Sequence, residues 1–312
     1  MPLDNINMTA VTEFIMLGFQ AGKNVKIVLF ILLLLIFCFT ILINFLIIAL
    51  VSTSRNLHTP MYFFISQLSI SDILLTSVIV PKMLHVLLHQ RGTIAFSDCM
   101  TQLYFFASLE ASECLLLGVM SYDRYVAICN PLRYNSIMTH RWCVILAVTS
   151  WLVGFCIIFT IILSTFMLNF CGPNIIDHFF CDFIPILELS CSDPYIVRME
   201  VSLLGLLLIL IPLIIVIFSY TKIIITILRI PSSTGRQKAF STCSSHLIVV
   251  SIFFWSLFSV YVLPTTDKTL SISKILSLLY TVFTPLINPI IYSLKNNDIK
   301  KALHDCVHRN VR

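Results

Sequence analysis

Residues 25–50 read VKIVLFILLLLIFCFTILINFLIIAL, an almost unbroken apolar run in which Lys26 is the single charged residue. A helix needs about 20 mainly apolar residues to cross the roughly 30 Å hydrocarbon core of a bilayer, because each helical residue rises about 1.5 Å. This run is long enough to do so. It predicts a membrane-spanning helix close to the amino terminus.

The remainder of the chain has the same apolar character. Of its 312 residues, 58% are hydrophobic and only 11% are charged. Soluble domains carry roughly a quarter charged residues, so this chain has too few to cover a surface exposed to water. The composition excludes a soluble globular protein, a disordered chain and a small secreted disulfide-rich protein.

Seven segments meet the length and hydropathy criteria for spanning a bilayer. They are residues 25–50, 59–84, 99–129, 142–163, 195–228, 240–263 and 271–294. No internal repeat or long linker divides them, which predicts an all-α membrane protein with one seven-helix bundle at 25–294. An extracellular segment at 1–24 precedes the bundle, and a cytoplasmic tail at 295–312 follows it.

Basic residues predict the orientation, because Lys and Arg remain on the cytoplasmic side of a membrane. With the amino end outside, the inner segments hold thirteen of the 20 Lys and Arg residues and only three acids. The amino terminus is therefore expected to be extracellular. Asn7 begins the chain's Asn-x-Ser/Thr sequon, lies on that outer side and is a predicted glycosylation site.

Several short motifs occur in a fixed order along almost the whole chain. They are FIMLGF (14–19), LHTPMY (57–62), LSISD (68–72), PKML (81–84), MSYDRYVAIC (120–129), SY (219–220), KAFSTCSSHL (238–247), PLINPIIY (285–292) and YSLKN (292–296). With these motifs the chain closely resembles the olfactory receptors, a subfamily of the rhodopsin-like G-protein-coupled receptors. The Asp-Arg-Tyr triplet at 123–125 alone is a weak signal, but the ordered set of motifs is specific to that family.

The resemblance implies a function as well as a fold. It implies an odorant receptor, not an enzyme, that activates a stimulatory heterotrimeric G protein and raises cyclic AMP. It also implies a multi-pass protein of the plasma membrane of sensory-neuron cilia, with no nucleic-acid partner. A transporter would more often show repeated halves, and an intramembrane enzyme would need a catalytic motif such as His-Glu-x-x-His or Gly-x-Ser-x-Gly, which the sequence lacks.

The resemblance assigns coupling and switching roles to seven residues. They are Asp123, Arg124, Tyr125, Tyr220, Asn288, Pro289 and Tyr292. Arg124 is held by Asp123 in the resting receptor and released to meet the G protein. Pro289 kinks the seventh span, since proline removes a backbone donor, and Tyr220 is an expected partner of the Asn288 and Tyr292 switch.

A ligand pocket is expected in the outer half of the bundle. Helical spacing combined with the resemblance predicts that it is lined by Phe106, Ala107, Glu110, Ala111, Leu204, Leu208, Phe254, Leu257, Phe258, Tyr261 and Thr281. This mostly apolar lining suits a small hydrophobic odorant with one oxygen or nitrogen function. Two interpretations of Glu110 remain open, a ligand anchor and a purely structural acid.

Three acids lie well inside predicted spans, away from the membrane surfaces, where a charge is costly unless it is paired or neutralised. Besides Glu110 they are Asp72 and Glu113, which match family positions. Together with Asn288, these two could enclose a sodium ion, and no other cofactor is expected. The alternative is that both acids stay neutral and form hydrogen bonds.

The eleven cysteines separate by side of the membrane. Cys99, Cys171, Cys181 and Cys191 lie outside, where four cysteines allow three disulfide connectivities. The resemblance implies Cys99–Cys181 and Cys171–Cys191. A metal site at His178, Cys181 and Asp182 competes with the disulfide for the same sulfur and is the weaker interpretation.

Two departures from the family pattern concern helix packing. Ile43 precedes Asn44 in the first span, where the family usually has Gly. In the sixth span, residues 253–256 read FFWS where the family has Phe-Tyr-Gly-Thr, so Trp255 is expected to alter the floor of the pocket.

The tail is predicted to form a short amphipathic eighth helix that binds membrane lipids. Ile299, Leu303 and Cys306 are expected to face lipid, while Lys300, Lys301 and Arg309 meet anionic head groups. No Ser, Thr or Tyr occurs from 296 to 312.

Overall fold

Long helices account for most of the structure. The computed structural model describes residues 11–89, 92–171, 174–261, 270–295 and 297–310. The first six long helices are α1 (Lys23–Thr53), α2 (Pro60–Leu88), α3 (Phe96–Cys129), α4 (His140–Phe166), α5 (Tyr195–Leu228) and α6 (Ser233–Tyr261). Helix α7 consists of Leu270–Leu278, a π-helical segment Leu279–Phe283 and Thr284–Lys295, and α8 is Asn297–Asn310.

Within the described ranges, helices α1 to α5 and residues 274–293 of α7 are each long and apolar enough to cross a membrane. The apolar part of α6 is shorter, Cys243–Phe258, and the predicted end of that span at 262–263 lies outside the described residues. Only 17% of the apolar stretch of α5 is buried inside the protein, against 72% for α3. Helix α3 therefore runs through the middle of the bundle, while α5 presents an apolar face that requires lipid.

Helices α3 and α4 approach each other closely at Gly154. A Cβ atom added to Gly154 would lie 2.6 Å from the Ser112 hydroxyl oxygen and 3.1 Å from the Ser108 carbonyl oxygen. Any larger residue would push the two helices apart, which is how small residues allow close packing of membrane helices. At its start, α4 is capped by Thr139, whose hydroxyl accepts a 3.3 Å hydrogen bond from the Trp142 amide.

A three-stranded sheet, which the sequence patterns did not predict, closes one end of the bundle. Its strands are β1 (Glu13–Met16), β2 (Gly92–Ala95) and β3 (Ile175–Ile176), with β1 in the centre, antiparallel to β2 and parallel to β3. Side chains of β1 alternate, so Phe14 and Met16 are fully buried against the helices. We call this end the sheet end and the opposite one, where α8 lies, the tail end.

Helix α8 forms in the predicted tail, but its orientation differs from the prediction. Ile299 does not face lipid; it is 3% exposed and packs with Ala302 into the core at the tail end. Leu303 and Cys306 are exposed, as expected. The difference arises because α8 docks on the bundle: Tyr62 of α2 donates a 3.0 Å hydrogen bond to Asp298, which turns the next residue inward.

Candidate functional sites at the two ends of the bundle

The loop between α4 and α5 packs onto the first turns of α3. Cys99 and Cys181 form one disulfide, with Cα atoms 5.6 Å apart, and Cys171 and Cys191 form the other, at 5.7 Å. These are the two pairs that the family resemblance implies. With its sulfur engaged in a disulfide, Cys181 is not a metal ligand. Within the described parts of the chain, no group of three or more His, Cys, Asp or Glu side chains could hold a metal ion.

Gln102 joins three elements beside this disulfide, although sequence reasoning had not singled it out. Its side-chain amide donates to the Val78 carbonyl of α2 at 3.0 Å, and its carbonyl accepts from the Cys181 amide at 3.0 Å. A buried amide that is satisfied on both sides fixes its neighbours in one arrangement. Gln102 thus holds the loop in register with α2 and α3.

Aromatic rings form a wall one turn further along α3. Phe106, which is 1% exposed, meets Phe180 of the loop edge to face at 4.9 Å and Tyr280 of α7 at 6.0 Å. Edge-to-face geometry is a favourable arrangement for aromatic pairs. Phe106 therefore lies where α3, α7 and the loop converge, in the half of the bundle expected to bind ligand.

Glu110 lies one turn beyond Phe106 and is 8% exposed. Neither of its carboxyl oxygens has a hydrogen-bond partner among the described residues. Two other acids, Glu113 on the same helix and Asp182 in the loop, interact electrostatically with it. A buried carboxyl group without a hydrogen-bond partner is unusual in a folded protein.

Most of the other predicted ligand residues are buried too. Ala111, Leu208, Phe254, Leu257 and Thr281 are buried, while Ala107 and Leu204 are half-buried. The Thr281 hydroxyl donates a 2.7 Å hydrogen bond to the Ser277 carbonyl, so its proton is already engaged within α7. The side chain of Tyr261 lies outside the described residues.

Phe258 does not join this buried set, which corrects the prediction for the sixth span. It is 51% exposed and stacks on Trp255, which is 70% exposed, with ring centroids 6.3 Å apart. The cause is helical geometry, since Trp255 and Phe258 point away from the face that buries Phe253 and Leu257. Trp255 therefore does not form the floor of a pocket next to Phe254.

A buried cation connects the amino-terminal segment with the loop and α7. Lys274 of α7 is 7% exposed and donates to Asp177 at 2.5 Å and to the Gly18 carbonyl at 3.1 Å. Nearby, the His178 ring lies 3.4 Å from the Ser277 hydroxyl. Burial, with a smaller contribution from Lys274, lowers the pKa of His178 to about 3, so the ring is neutral.

Asp182 follows the disulfide and caps the short helix Phe183–Glu188. Its carboxyl accepts a 2.8 Å hydrogen bond from the Phe183 amide. Burial raises the pKa of Asp182 to about 6, although that hydrogen bond opposes the shift. The loop thus brings a second acid near Glu110.

At the tail end, Asp123 and Arg124 form a buried ion pair. Arg124 is 8% exposed, and its Nε donates to Asp123 Oδ2 at 3.0 Å while Nη2 pairs with the same oxygen. The other carboxyl oxygen of Asp123 accepts a 2.8 Å hydrogen bond from Tyr134, in the short helix Tyr134–Ile137. Tyr134 was not identified from the sequence, in which no motif marks it.

Tyr220 contacts α6, and its partnership with the Asn288 and Tyr292 switch stays a prediction. Its hydroxyl shares a 2.7 Å hydrogen bond with His246 and donates to the Cys243 carbonyl at 3.3 Å. His246 belongs to the KAFSTCSSHL motif, so a family string was the available signal for this partner. Tyr125 is half-buried and packs on the Phe218 ring of α5 at 6.0 Å.

Helix α7 is joined to α2 and α1 through buried amides. Asn288 donates to the two oxygens of Asp72 at 3.3 and 3.4 Å, and Asn44 donates to the Pro285 carbonyl at 3.1 Å. The contact of Asn44 with α7 therefore forms with Ile43 in place of the usual Gly. Pro289 lies inside α7, and Tyr292 one turn later is 1% exposed.

The two candidate sites thus share α3, with Glu110 near the sheet end and Arg124 at the tail end.

Comparison with known proteins identifies the family of the chain. A sequence model described as olfactory receptor matches residues 33–310. The chain is 47% identical to human olfactory receptor 10A7 over 98% of its own length and 96% of the relative, and 46% identical to human olfactory receptor 6B1 over 95% of each. It is 45% identical to mouse olfactory receptor 5AP2, over 99% of this chain and 98% of the relative.

Proposed function

This chain belongs to the olfactory receptor family, and from that premise we propose that it binds a small, mostly hydrophobic odorant near the sheet end and activates a stimulatory heterotrimeric G protein to raise cyclic AMP. The proposal places the amino terminus outside the cell, with a glycan on Asn7, which lies outside the described residues. It places the receptor in the plasma membrane of sensory cilia.

The observation that carries the proposal is the buried ion pair at the tail end. Arg124 has few acceptors besides Asp123, and an isolated buried guanidinium is unfavourable. A partner that supplies carbonyl or carboxylate acceptors at the cytoplasmic surface would therefore compete with Asp123 for Arg124. A G-protein segment inserted between the helices supplies such acceptors.

Helix α3 gives a physical route between ligand and G protein. Glu110 and Arg124 lie on this one continuous helix, which is buried along most of its length. A rigid element held between two alternative packings can transmit a small displacement from end to end. Ligand contact at Phe106 and Glu110 would bias the helix toward the arrangement in which the ion pair opens.

Helix α7 supplies a second movable element. Its π-helical segment precedes Thr284, and Pro289 interrupts the backbone hydrogen bonds beyond it. A sodium ion beside Asp72, Glu113 and Asn288 would stabilise the resting packing of this region, since carboxylate and amide oxygens suit a hard cation. That ion remains a prediction.

The test is a cyclic-AMP assay in cells that express the receptor with its G protein, exposed to a diverse panel of volatile compounds. An epitope at the amino terminus, labelled in unpermeabilised cells, measures surface expression and orientation together. Arg124→Ala should abolish the response while surface labelling persists. Arg198→Ala, an exposed site at the opposite end of the bundle, is the matched control and should signal normally.

Full signalling by a well-expressed Arg124→Ala receptor would contradict the proposal. So would a response in the form of ion flux without any rise in cyclic AMP. Labelling of the amino-terminal epitope only after permeabilisation would show that the amino terminus is inside the cell, opposite to the proposed topology.

A further inference from the structure

Glu110 is a buried acid that takes no part in the ion pair and amide contacts at the tail end. It is 8% exposed, and both of its oxygens are buried without a hydrogen bond from any residue that the structure describes. Buried acceptors are normally satisfied, because an unpaired one pays its desolvation cost without compensation. Such a group is suited to a donor that arrives from outside the chain.

The charges around Glu110 indicate which donor would be favoured. Glu110 interacts electrostatically with three other acids. They are Glu113, Asp182 and Asp72. The two buried basic side chains among the described residues are engaged elsewhere. Lys274 is held by Asp177, and Arg124 by Asp123, fourteen residues or roughly 21 Å along α3. Neither of these two cations pairs with Glu110.

The surroundings of Glu110 are otherwise aromatic and aliphatic. Phe106, one turn away on the same face of α3, contacts Phe180 and Tyr280. Leu208 of α5 and Ala111 of α3 are buried in the same core. Aromatic faces attract cations, and a buried apolar wall accommodates a hydrocarbon chain.

We propose that the odorant recognised at Glu110 is a small aliphatic amine, bound as the ammonium ion. Its N–H groups donate to the Glu110 oxygens, Asp182 adds attraction from the loop, and the alkyl chain packs on Phe106 and its apolar neighbours. This inference rests on the proposed function of the same site. An alcohol supplies one donor and no charge, so it binds more weakly. A carboxylate is repelled, because like charges disfavour the wrong partner.

Matched compounds with eight carbons test the inference at pH 7.4: octylamine, octanol, octanal and octanoate. The wild-type receptor should respond to octylamine at a concentration at least about tenfold lower than to octanol, and octanoate should be inactive. Glu110→Gln keeps the shape of the side chain and removes its charge. It should lower octylamine potency at least about tenfold and leave the octanol response within about threefold.

Two further variants separate attraction from folding. Asp182→Asn should weaken octylamine by about threefold, a smaller effect because Asp182 does not pair directly with the ligand. Glu188→Gln alters an exposed acid of the same loop and should change nothing. Surface labelling of each variant corrects potency for expression.

A direct binding measurement separates this inference from the proposed coupling. Purified receptor in lipid nanodiscs is titrated with radiolabelled octylamine, in wild type and in Glu110→Gln. Saturable binding that disappears in the variant supports the amine site even where cyclic AMP does not rise, a result that would count against coupling alone. Equal or better potency for octanol or octanoate, or an amine preference that survives Glu110→Gln, would overturn it. So would the absence of saturable amine binding to a folded receptor that responds to other odorants.

Discussion

Tyr134 donates a 2.8 Å hydrogen bond to Asp123, the carboxylate that also holds Arg124. Burial, reinforced by Asp123, raises the pKa of Tyr134, so its hydroxyl is protonated and able to donate at physiological pH. The ion pair is therefore not confined to α3. We therefore expect release of Arg124 to involve the short helix Tyr134–Ile137, an element that no activation motif marks.

The first prediction concerns the strength of this three-residue lock. Tyr134→Phe removes one hydrogen bond to a charged group, a contribution of about 1 kcal/mol at this partly buried position. The resting state loses that stabilisation, so cyclic AMP without ligand should rise about fivefold at equal surface expression. Tyr122→Phe, a hydroxyl deletion on α3 outside the lock, is the control. Unchanged basal signalling in Tyr134→Phe would show that Tyr134 does not stabilise the resting state.

The second prediction concerns the buried ammonium of Lys274. Asp177→Asn leaves that charge without its counterion, whereas Lys274→Met removes the charge and leaves Asp177, whose side chain is one-third exposed, to water. An unpaired buried charge is the greater cost. Asp177→Asn should therefore lower thermal stability more than Lys274→Met does.

A double-mutant cycle on purified receptor in detergent measures this difference. The combined Lys274→Met/Asp177→Asn receptor should be more stable than Asp177→Asn alone, because the unpaired charge is gone. Additive losses in the double variant would mean that the two side chains do not interact. Asp193→Asn, at an exposed loop position, controls for loss of an acid.

The number and order of the helices could be predicted from sequence because hydrocarbon imposes a strict rule on length and polarity. The run at 25–50 needs no tertiary information to be recognised, and it lies within α1 (Lys23–Thr53). The sheet at the amino-terminal segment could not be predicted, because it depends on contacts between residues far apart in the sequence. Strand β1 has four residues, and what fixes it is pairing with residues about 80 and 160 positions away.

Some residues of the candidate sites could likewise be predicted from sequence, and others could not. Asp123, Arg124 and Asn288 lie in strings specific enough to be found, whereas their partners depend on how helices turn. Helical spacing and the family resemblance placed Phe258 with the ligand residues, but the rotation of α6 leaves it half exposed beside Trp255. Lys274 carried a usable signal, a basic residue within an apolar span, since such residues require a partner.

The third prediction concerns acid pH, through two buried groups of the loop. The pKa of His178 falls to about 3, so His178 contributes stability above its unfolded pKa of about 6.5 that is lost as the pH drops toward 3. The pKa of Asp182 rises to about 6, so Asp182 has the opposite sign. Its contribution is greatest below about pH 4 and is lost as the pH rises through 6. Between about pH 6 and pH 4 the two effects have equal slopes of opposite sign and nearly cancel, so the net loss of stability on acidification arises mainly between pH 6.5 and pH 6.

The measurement is the melting temperature of purified receptor at pH 7.5 and pH 5. The wild type should melt at a slightly lower temperature at pH 5. His178→Gln should reverse that change, because Gln can still meet the Ser277 hydroxyl and does not titrate, which leaves only the opposite effect of Asp182. Asp182→Asn should enlarge the decrease. An identical pH effect in wild type and His178→Gln would contradict the assignment.

The last prediction concerns desensitisation, for which the tail offers no phosphorylation site: residues 296–312 contain no Ser, Thr or Tyr. Exposed hydroxyls lie instead where α6 begins, at Ser232, Ser233 and Thr234. Ser232 caps that helix, since its hydroxyl accepts a 3.3 Å hydrogen bond from the Gly235 amide. Phosphate at a helix amino terminus is stabilised by the helix dipole and adds nearly two negative charges, a suitable signal for a basic arrestin surface.

Phosphorylation-dependent desensitisation should therefore act through the start of α6 and not through the tail. Deleting residues 305–312 keeps the buried contacts of Ile299 and Ala302 with the bundle, so the time course of cyclic-AMP decline should be nearly unchanged. Ser232→Ala/Ser233→Ala/Thr234→Ala should slow that decline several-fold during continuous exposure to odorant. Ser232→Asn, which preserves a capping side chain but not the acceptor hydroxyl for a kinase, separates loss of the helix cap from loss of phosphate. Normal desensitisation in the triple variant together with its loss in the truncated receptor would reverse this assignment.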